Sequence, residues 1–173
     1  MRQIQLAHRP LLTAWTATIF FALALFVTAG TFLVPQDDPI AKVRLPKKWK
    51  TNIHPEFVEA VAPDGATHLM VLPVEGSKVA ESIGEAIRYI RGGAILIKSD
   101  SMKDENTTVK GRHSRRLSWD ATSNDRAIRI HCHVVLVADD KQLLVIFWGS
   151  LEAEKKYRQE LNDVFETLRA AGD

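Results

Sequence analysis

Residues 11–34 carry no charge over 24 positions, and only five threonines and Gly30 interrupt a run of mostly Leu, Ala, Phe and Val. No other stretch restricts the possible folds as much. As an α-helix it would reach roughly 36 Å, enough to cross the hydrocarbon layer with some tilt. The expected layout is a short tail (1–10), a transmembrane helix (11–34), a linker (35–42) and a folded domain (43–173). A cleaved signal peptide is the competing reading. Arg2 and Arg9 would supply its basic start, and Val27-Thr28-Ala29 would form a poor cleavage site near Ala29, releasing a secreted domain. The apolar run continues to Val34, which a cleaved peptide does not need. A retained anchor is therefore the expectation.

Orientation is set by competing cues. Arg2 and Arg9 precede the run, whereas Lys42, Arg44, Lys47, Lys48 and Lys50 follow it, and a plain count would place the C-terminal side in the cytoplasm. A very short N-terminal tail instead favours a signal anchor, with the N-terminus cytoplasmic and the domain outside. That second orientation is the one expected here.

Charge narrows the function classes. Once Arg2 and Arg9 are set aside, the remaining basic residues equal the 21 acids, so the domain is neutral and a pI near 8.7 does not point to nucleic acid. Cys132 is the only cysteine, which leaves no intrachain disulfide. No phosphate loop, dinucleotide fingerprint, zinc-protease helix or nucleophile elbow occurs, and no cofactor is implied.

Pro35 and Pro39 bracket a polar linker. The five cations Lys42, Arg44, Lys47, Lys48 and Lys50 surround Leu45 and Trp49. They read either as a membrane-proximal patch for anionic headgroups or as an edge strand whose lysines deter pairing. Residues 57–61 and 67–72 form a hairpin about Ala62-Pro63-Asp64-Gly65, where Pro63 presets φ and Gly65 can take a positive φ. Residues 77–91 switch to the helical period, with Val79, Ile83, Ala86, Ile87 and Ile90 on one face, Ser77 as cap and Gly92-Gly93 as stop. A short strand at 94–98 leads into a polar loop at 99–106. The acids of that loop lack the alternating oxygen ligands of a calcium site.

Residues 109–120 and 127–138 form a second hairpin, followed by an apolar central strand at 142–148. Residues 151–170 close the chain as an amphipathic helix capped by Ser150. The predicted fold class is thus α+β: a mainly antiparallel sheet of six or seven strands flanked by two helices, preceded by one transmembrane helix.

The sharpest local motif is His131-Cys132-His133. Two histidines two apart on a strand share a face and could hold one metal ion. Their same-face neighbours Arg112, Ser114 and Arg116 would repel a cation, so no metal site is expected and the pair reads as solvated. Cys132, on the opposite face, reads as a small buried hydrophobe. The candidate binding surface is the strip Lys110, Arg112, Arg116, Arg129, His131 and His133, which suits an anionic protein or envelope partner. It would bind more strongly near pH 6 if the histidines charge there. The rival reading is a metal-dependent or hydrolytic enzyme built on His131 and His133.

Leu45-Pro46-Lys47-Lys48-Trp49, then a long hairpin, a helix, a run of antiparallel strands and a terminal strand–helix pair come in that order. This resembles the PsbP-like superfamily, which includes the extrinsic photosystem subunit, a Ran-GTPase-binding factor and DcrB-like bacterial envelope proteins. The resemblance covers roughly residues 43–170. It implies a non-enzymatic binding or assembly module, and it carries over no site residues. The lipid-modified cysteine of the DcrB-like branch is absent, and the N-terminal helix would stand in for it. The combined expectation is a membrane-tethered, extracytoplasmic binding module.

Overall fold

A computed structural model describes residues 30–138 and 141–172. Residues 11–29 of the apolar run lie outside them. The last four positions of that run do not continue a helix. Thr31–Val34 is strand β1, paired antiparallel with β2 (Ala41–Arg44) in the register Thr31↔Arg44 to Val34↔Ala41. Phe32 and Val34 are buried while Thr31 and Leu33 are exposed, a period of two that an apolar run hides when every residue is hydrophobic. Residues 35–40 of the expected linker 35–42 therefore form the β1–β2 connection, and residues 41–42 belong to β2. Among the described residues no helix is long and apolar enough to cross a membrane.

The main sheet has eight strands rather than six or seven. Its strands are β3 (Lys50–Ile53), β4 (Val58–Val61), β5 (His68–Glu75), β6 (Ile95–Ile97), β7 (Lys103–Val109), β8 (Arg112–Ser123), β9 (Arg126–Ala138) and β10 (Lys141–Ser150). Every pairing is antiparallel, in the order β3-β4-β5-β10-β9-β8-β6, with β7 also on β8. A separate three-stranded sheet, β1-β2-β11, is completed by Arg169–Ala170 as β11.

Turn chemistry sets the hairpins. In the first, Asp64 Oδ1 accepts from the Ala66 and Thr67 amides at 2.9 and 3.3 Å, and Gly65 adopts φ +69°. In the second the strands run further than expected, to a two-residue Asn124-Asp125 turn with both φ positive. A third hairpin replaces the expected polar loop: Lys110 and Gly111, both at positive φ, join β7 to β8. Strand β7 is almost wholly polar, so only its pairing with β8 holds it extended.

The two helices take opposite faces of the sheet. Helix α1 (Val79–Gly92) buries Ala86 and Ile90 over Met70, Trp119, Ile130, Leu144 and Ile146. It starts from a 3-10 turn without a side-chain cap, so Ser77 does not cap it. Helix α2 (Leu151–Thr167) is capped as expected, the Ser150 hydroxyl accepting from the Ala153 amide at 3.0 Å. Its stripe of Tyr157, Leu161 and Val164 covers Leu69, Val71, Val135 and Val145 together with the small sheet. It stops three residues short of the expected 170, where Leu168 turns extended and leads into β11.

Gly149 shows how closely β10 and the start of β5 approach. A Cβ there would lie 2.9 Å from Thr67 Oγ1 and 3.3 Å from the Thr67 Cα. Gly149→Ala should cost about 1–3 kcal/mol through this overpacking, read as a lower urea midpoint with an unchanged slope.

Candidate functional site

The basic strip inferred from alternation does lie on one face, but α2 covers much of it. His131 and His133 are only 8% and 9% exposed. The His131 ring stacks on Phe147 at 4.6 Å, and His133 lies 4.7 Å from Phe165 of the helix. The pair is therefore not solvated. The next same-face residues on β9, Val135 and Val137, are core, and α2 must seat its apolar stripe somewhere. Burial, helped by His131 and Arg116, pushes the His133 imidazole down to about 3. Burial also lowers His131, although Glu154, with Oε2 3.4 Å from Nε2, opposes the shift. His133 therefore stays neutral near pH 6 in the folded chain, and His131 takes up its proton at a lower pH than a free imidazole.

The cations of the strip are engaged as well. Arg116 binds Glu105, Arg129 pairs with Asp120 at 3.1 Å, Arg112 Nη1 donates to the Val137 carbonyl at 2.7 Å and Lys110 donates to the Glu166 carbonyl. Among the described residues no cluster of three metal-ligating side chains occurs. Cys132 lies in the α1-side core, where burial pushes its thiol up to about 12.

The five cations at 42–50 divide between structure and surface. Lys42 and Arg44 belong to β2, which is the central strand of the small sheet rather than an edge, while Lys50 opens β3, an edge of the main sheet. Arg44, Lys47 and Lys48 line one wall of a groove of about 490 Å³, opposite Glu160, Asp163 and Glu166 of α2. Leu45 and Trp49 anchor this loop by burial, and Trp49 Nε1 donates to Glu160 Oε2 at 2.7 Å. The Arg44 amide donates to Thr167 Oγ1 at 3.1 Å, which ties the loop to the last turn of α2.

The larger feature was not apparent in the sequence. A cleft of about 1220 Å³ opens on the α1 side of the sheet, between the Gly65 turn, the C-terminal end of α1 and the Asn124 turn. Glu59, 8% exposed, lies in its wall. Asn52 Nδ2 donates to Glu59 Oε2 at 3.3 Å, and His68 Nδ1 lies 3.5 Å from Oε1. His68, helped by Asn52 and against the cost of burial, holds this carboxyl below its ordinary range. His68 stacks flat on Trp148, with centroids 4.9 Å apart and planes 5° from parallel. Tyr89, half-exposed on α1, contacts the Phe57 ring edge-on at 5.6 Å, and burial together with Glu59 raises its phenol. Arg88, Arg126 and Glu152 also line the cleft.

Antiparallel register explains the convergence. His68 is the direct partner of Trp148, while Glu59 sits on β4 beside Met70, one position along the same face. Helix α1 then brings Tyr89 over the strands. A face count within each strand would have grouped Glu59 with His68 once the first hairpin was assigned. Tyr89 and Arg126 meet them only through tertiary packing.

No family model matches the sequence, and no curated protein matches it. Solved structures do. The chain overlays on a Bacteroides thetaiotaomicron protein (TM-score 0.56, 13% identity, 85% of this chain), spanning about half, 51%, of that protein's length. It overlays on LpqN of Mycobacterium tuberculosis, described as involved in cell envelope biogenesis (TM-score 0.52, 12% identity, 82% of this chain and 90% of that one). It also overlays on the cyanobacterial PsbP of Synechocystis (TM-score 0.52, 11% identity, 92% and 98%). At these identities the likeness is one of fold. The order of elements that suggested the resemblance is therefore matched in three dimensions: the chain has the PsbP-like fold.

Proposed function

We propose that this chain is a membrane-tethered, extracytoplasmic, non-enzymatic binding module whose ligand seat is the cleft around Glu59, on the end of the domain away from the bilayer. The observation that carries the reading is the placement of the two ends of α2. The chain enters the domain at Thr31, whose strand partner Arg44 is bonded to Thr167 at the C-terminal end of α2. The cleft is lined by Ser150 and Glu152 at the N-terminal end. Seventeen helical residues separate these ends by about 25 Å. Residues 11–29, uncharged and apolar, supply the tether in this reading.

The same geometry supports headgroup contact by exposed Lys47 and Lys48, which lie on the loop bonded next to the tether. An anionic partner on the β8–β9 strip is less well supported, because Arg116 and Arg129 already hold carboxylates and both histidines are covered. An enzyme built on His131 and His133 meets the same obstacle.

Single cysteines test the placement, since Cys132 is buried and slow to label. A fluorophore on Lys47→Cys in vesicles should be quenched by headgroup-labelled lipid, and one on Glu152→Cys should not. Equal quenching at both sites would refute the arrangement. Protease added to intact spheroplasts should digest the domain; protection until the membrane is breached would reverse the orientation.

A further inference from the structure

We propose that the cleft seats a peptide-like zwitterion, with a guanidinium or protonated amine on Glu59 and a carboxylate towards Arg88 and Arg126. This rests on the reading of the cleft as the ligand seat and adds the chemistry of what it takes.

Glu59 is the first argument. A carboxylate buried to this extent is costly unless a charge or several donors meet it. Its ion-pair partner is His68, at 3.5 Å, rather than a lysine or arginine, and His68 Nδ1 is buried without a hydrogen bond of good geometry. Asn52 and Tyr89 also hydrogen-bond to it and both are neutral donors, so the cleft holds a carboxylate kept charged with no lysine or arginine bound to it among the described residues. His68 and Asn52 nevertheless keep it ionised.

The surroundings are the second argument. Tyr89 and the stacked His68–Trp148 pair line the cleft with ring surface, and Phe57 lies behind Tyr89. Ring faces attract cations, and a guanidinium can stack on a ring while it bonds to a carboxylate. Neutral polyols would leave the carboxylate charge uncompensated.

The rim is the third argument, and it restricts the ligand further. Arg88 is mostly exposed and only loosely paired with Glu85 at 3.8 Å, and Arg126 has no ion-pair partner among the described residues. Two arginines facing the same space disfavour a simple cation and favour one that carries an acid nearby. Glu152 is the other acid on the lining. The volume of about 1220 Å³ exceeds that of most small-molecule sites, which leaves room for several peptide residues.

The test uses the full chain in detergent micelles, read by the backbone amide resonances of Gly65, Gly92 and Gly93. Three probes separate the charges: N-acetylarginine carries both, 1-butylguanidine only the cation and N-acetylalanine only the carboxylate. N-acetylarginine should give saturable shifts and bind more tightly than either of the others. Glu59→Gln, which keeps the shape of the side chain, should weaken it about tenfold or more, with the spectrum outside the cleft unchanged. Arg88→Glu with Arg126→Glu should remove the advantage of N-acetylarginine over 1-butylguanidine. A folded Glu59→Gln protein that binds N-acetylarginine like the wild type would overturn the proposal. So would cleft shifts from N-acetylalanine that match those from N-acetylarginine, although the cleft would then still be a ligand seat. No shift from any probe would remove both the assignment and the seat.

Discussion

Trp49→Ala should cost the domain about 3–5 kcal/mol, a large share of the total stability of a domain this size. Trp49 is 3% exposed, packs edge-on against Tyr157 at 5.3 Å and donates its indole N–H to Glu160. Truncation removes the ring that joins the Leu45–Lys50 loop to α2 and opens a cavity where strands and helix meet. The measurement is the denaturant midpoint of the full chain in detergent, followed by far-UV circular dichroism. Trp49→Phe separates the two contributions: it keeps most of the packing, gives up the hydrogen bond and should lose only about 1–2 kcal/mol. A Trp49→Ala loss below that of Trp49→Phe would show that the ring does not carry the contact.

The second large effect is acid lability centred on His133. Its imidazole titrates near 6.5 when unfolded but is pushed down to about 3 when packed between Phe147 and Phe165. Because the folded value is the lower one, the unfolded chain binds the extra proton. Stability is therefore fully present above pH 6.5 and is lost as pH falls towards 3. This one site removes roughly 1.4 kcal/mol per pH unit across that window. The direction at His131 is the same, with Glu154 opposing. His133→Leu, close in volume, should flatten the dependence of the urea midpoint on pH between 6 and 4. An unchanged slope would mean that the proton is taken up elsewhere.

These two residues also show where sequence reasoning reaches its limit. The L-P-x-x-W pattern was legible as a family resemblance, but its sequence reading as a headgroup patch or an edge strand did not foresee that Trp49 is buried against α2. The hairpin at Pro63-Asp64-Gly65 and the Ser150 cap were legible because each depends on a local hydrogen bond or dihedral preference that neighbouring residues determine. His133 was assigned to its face correctly but to the wrong environment. Alternation tells which side of a strand a residue takes, not what lies over that side. The unbroken apolar run of β10 was the available signal, since a strand buried on both faces needs a cover for each. Strand β7 failed differently. Lys103, Asp104 and Glu105 have no strand propensity of their own, and they are extended because β8 pairs with them and its Arg115 and Arg116 offer guanidinium partners to the carboxylates of Asp104 and Glu105. Of the cleft, the Glu59–His68 proximity was available from the first hairpin, but Tyr89, Arg88 and Arg126 arrive through packing, 30, 29 and 67 positions along the sequence from Glu59.

Strand β1 has a mechanical consequence. In the proposed tethering through residues 11–29, Gly30 alone would lie between the tether and a strand already locked into the domain. A flexible leash of n residues would let the cleft sweep a radius growing as roughly 5–6 Å times the square root of n. One glycine allows almost none of that. In that arrangement the cleft would work at a fixed stand-off, set by the length of α2 at about 25 Å from the point where the chain enters the domain. A ligand of the proposed seat would then have to be presented in that thin shell above the membrane, by lateral movement in two dimensions rather than by the domain reaching out.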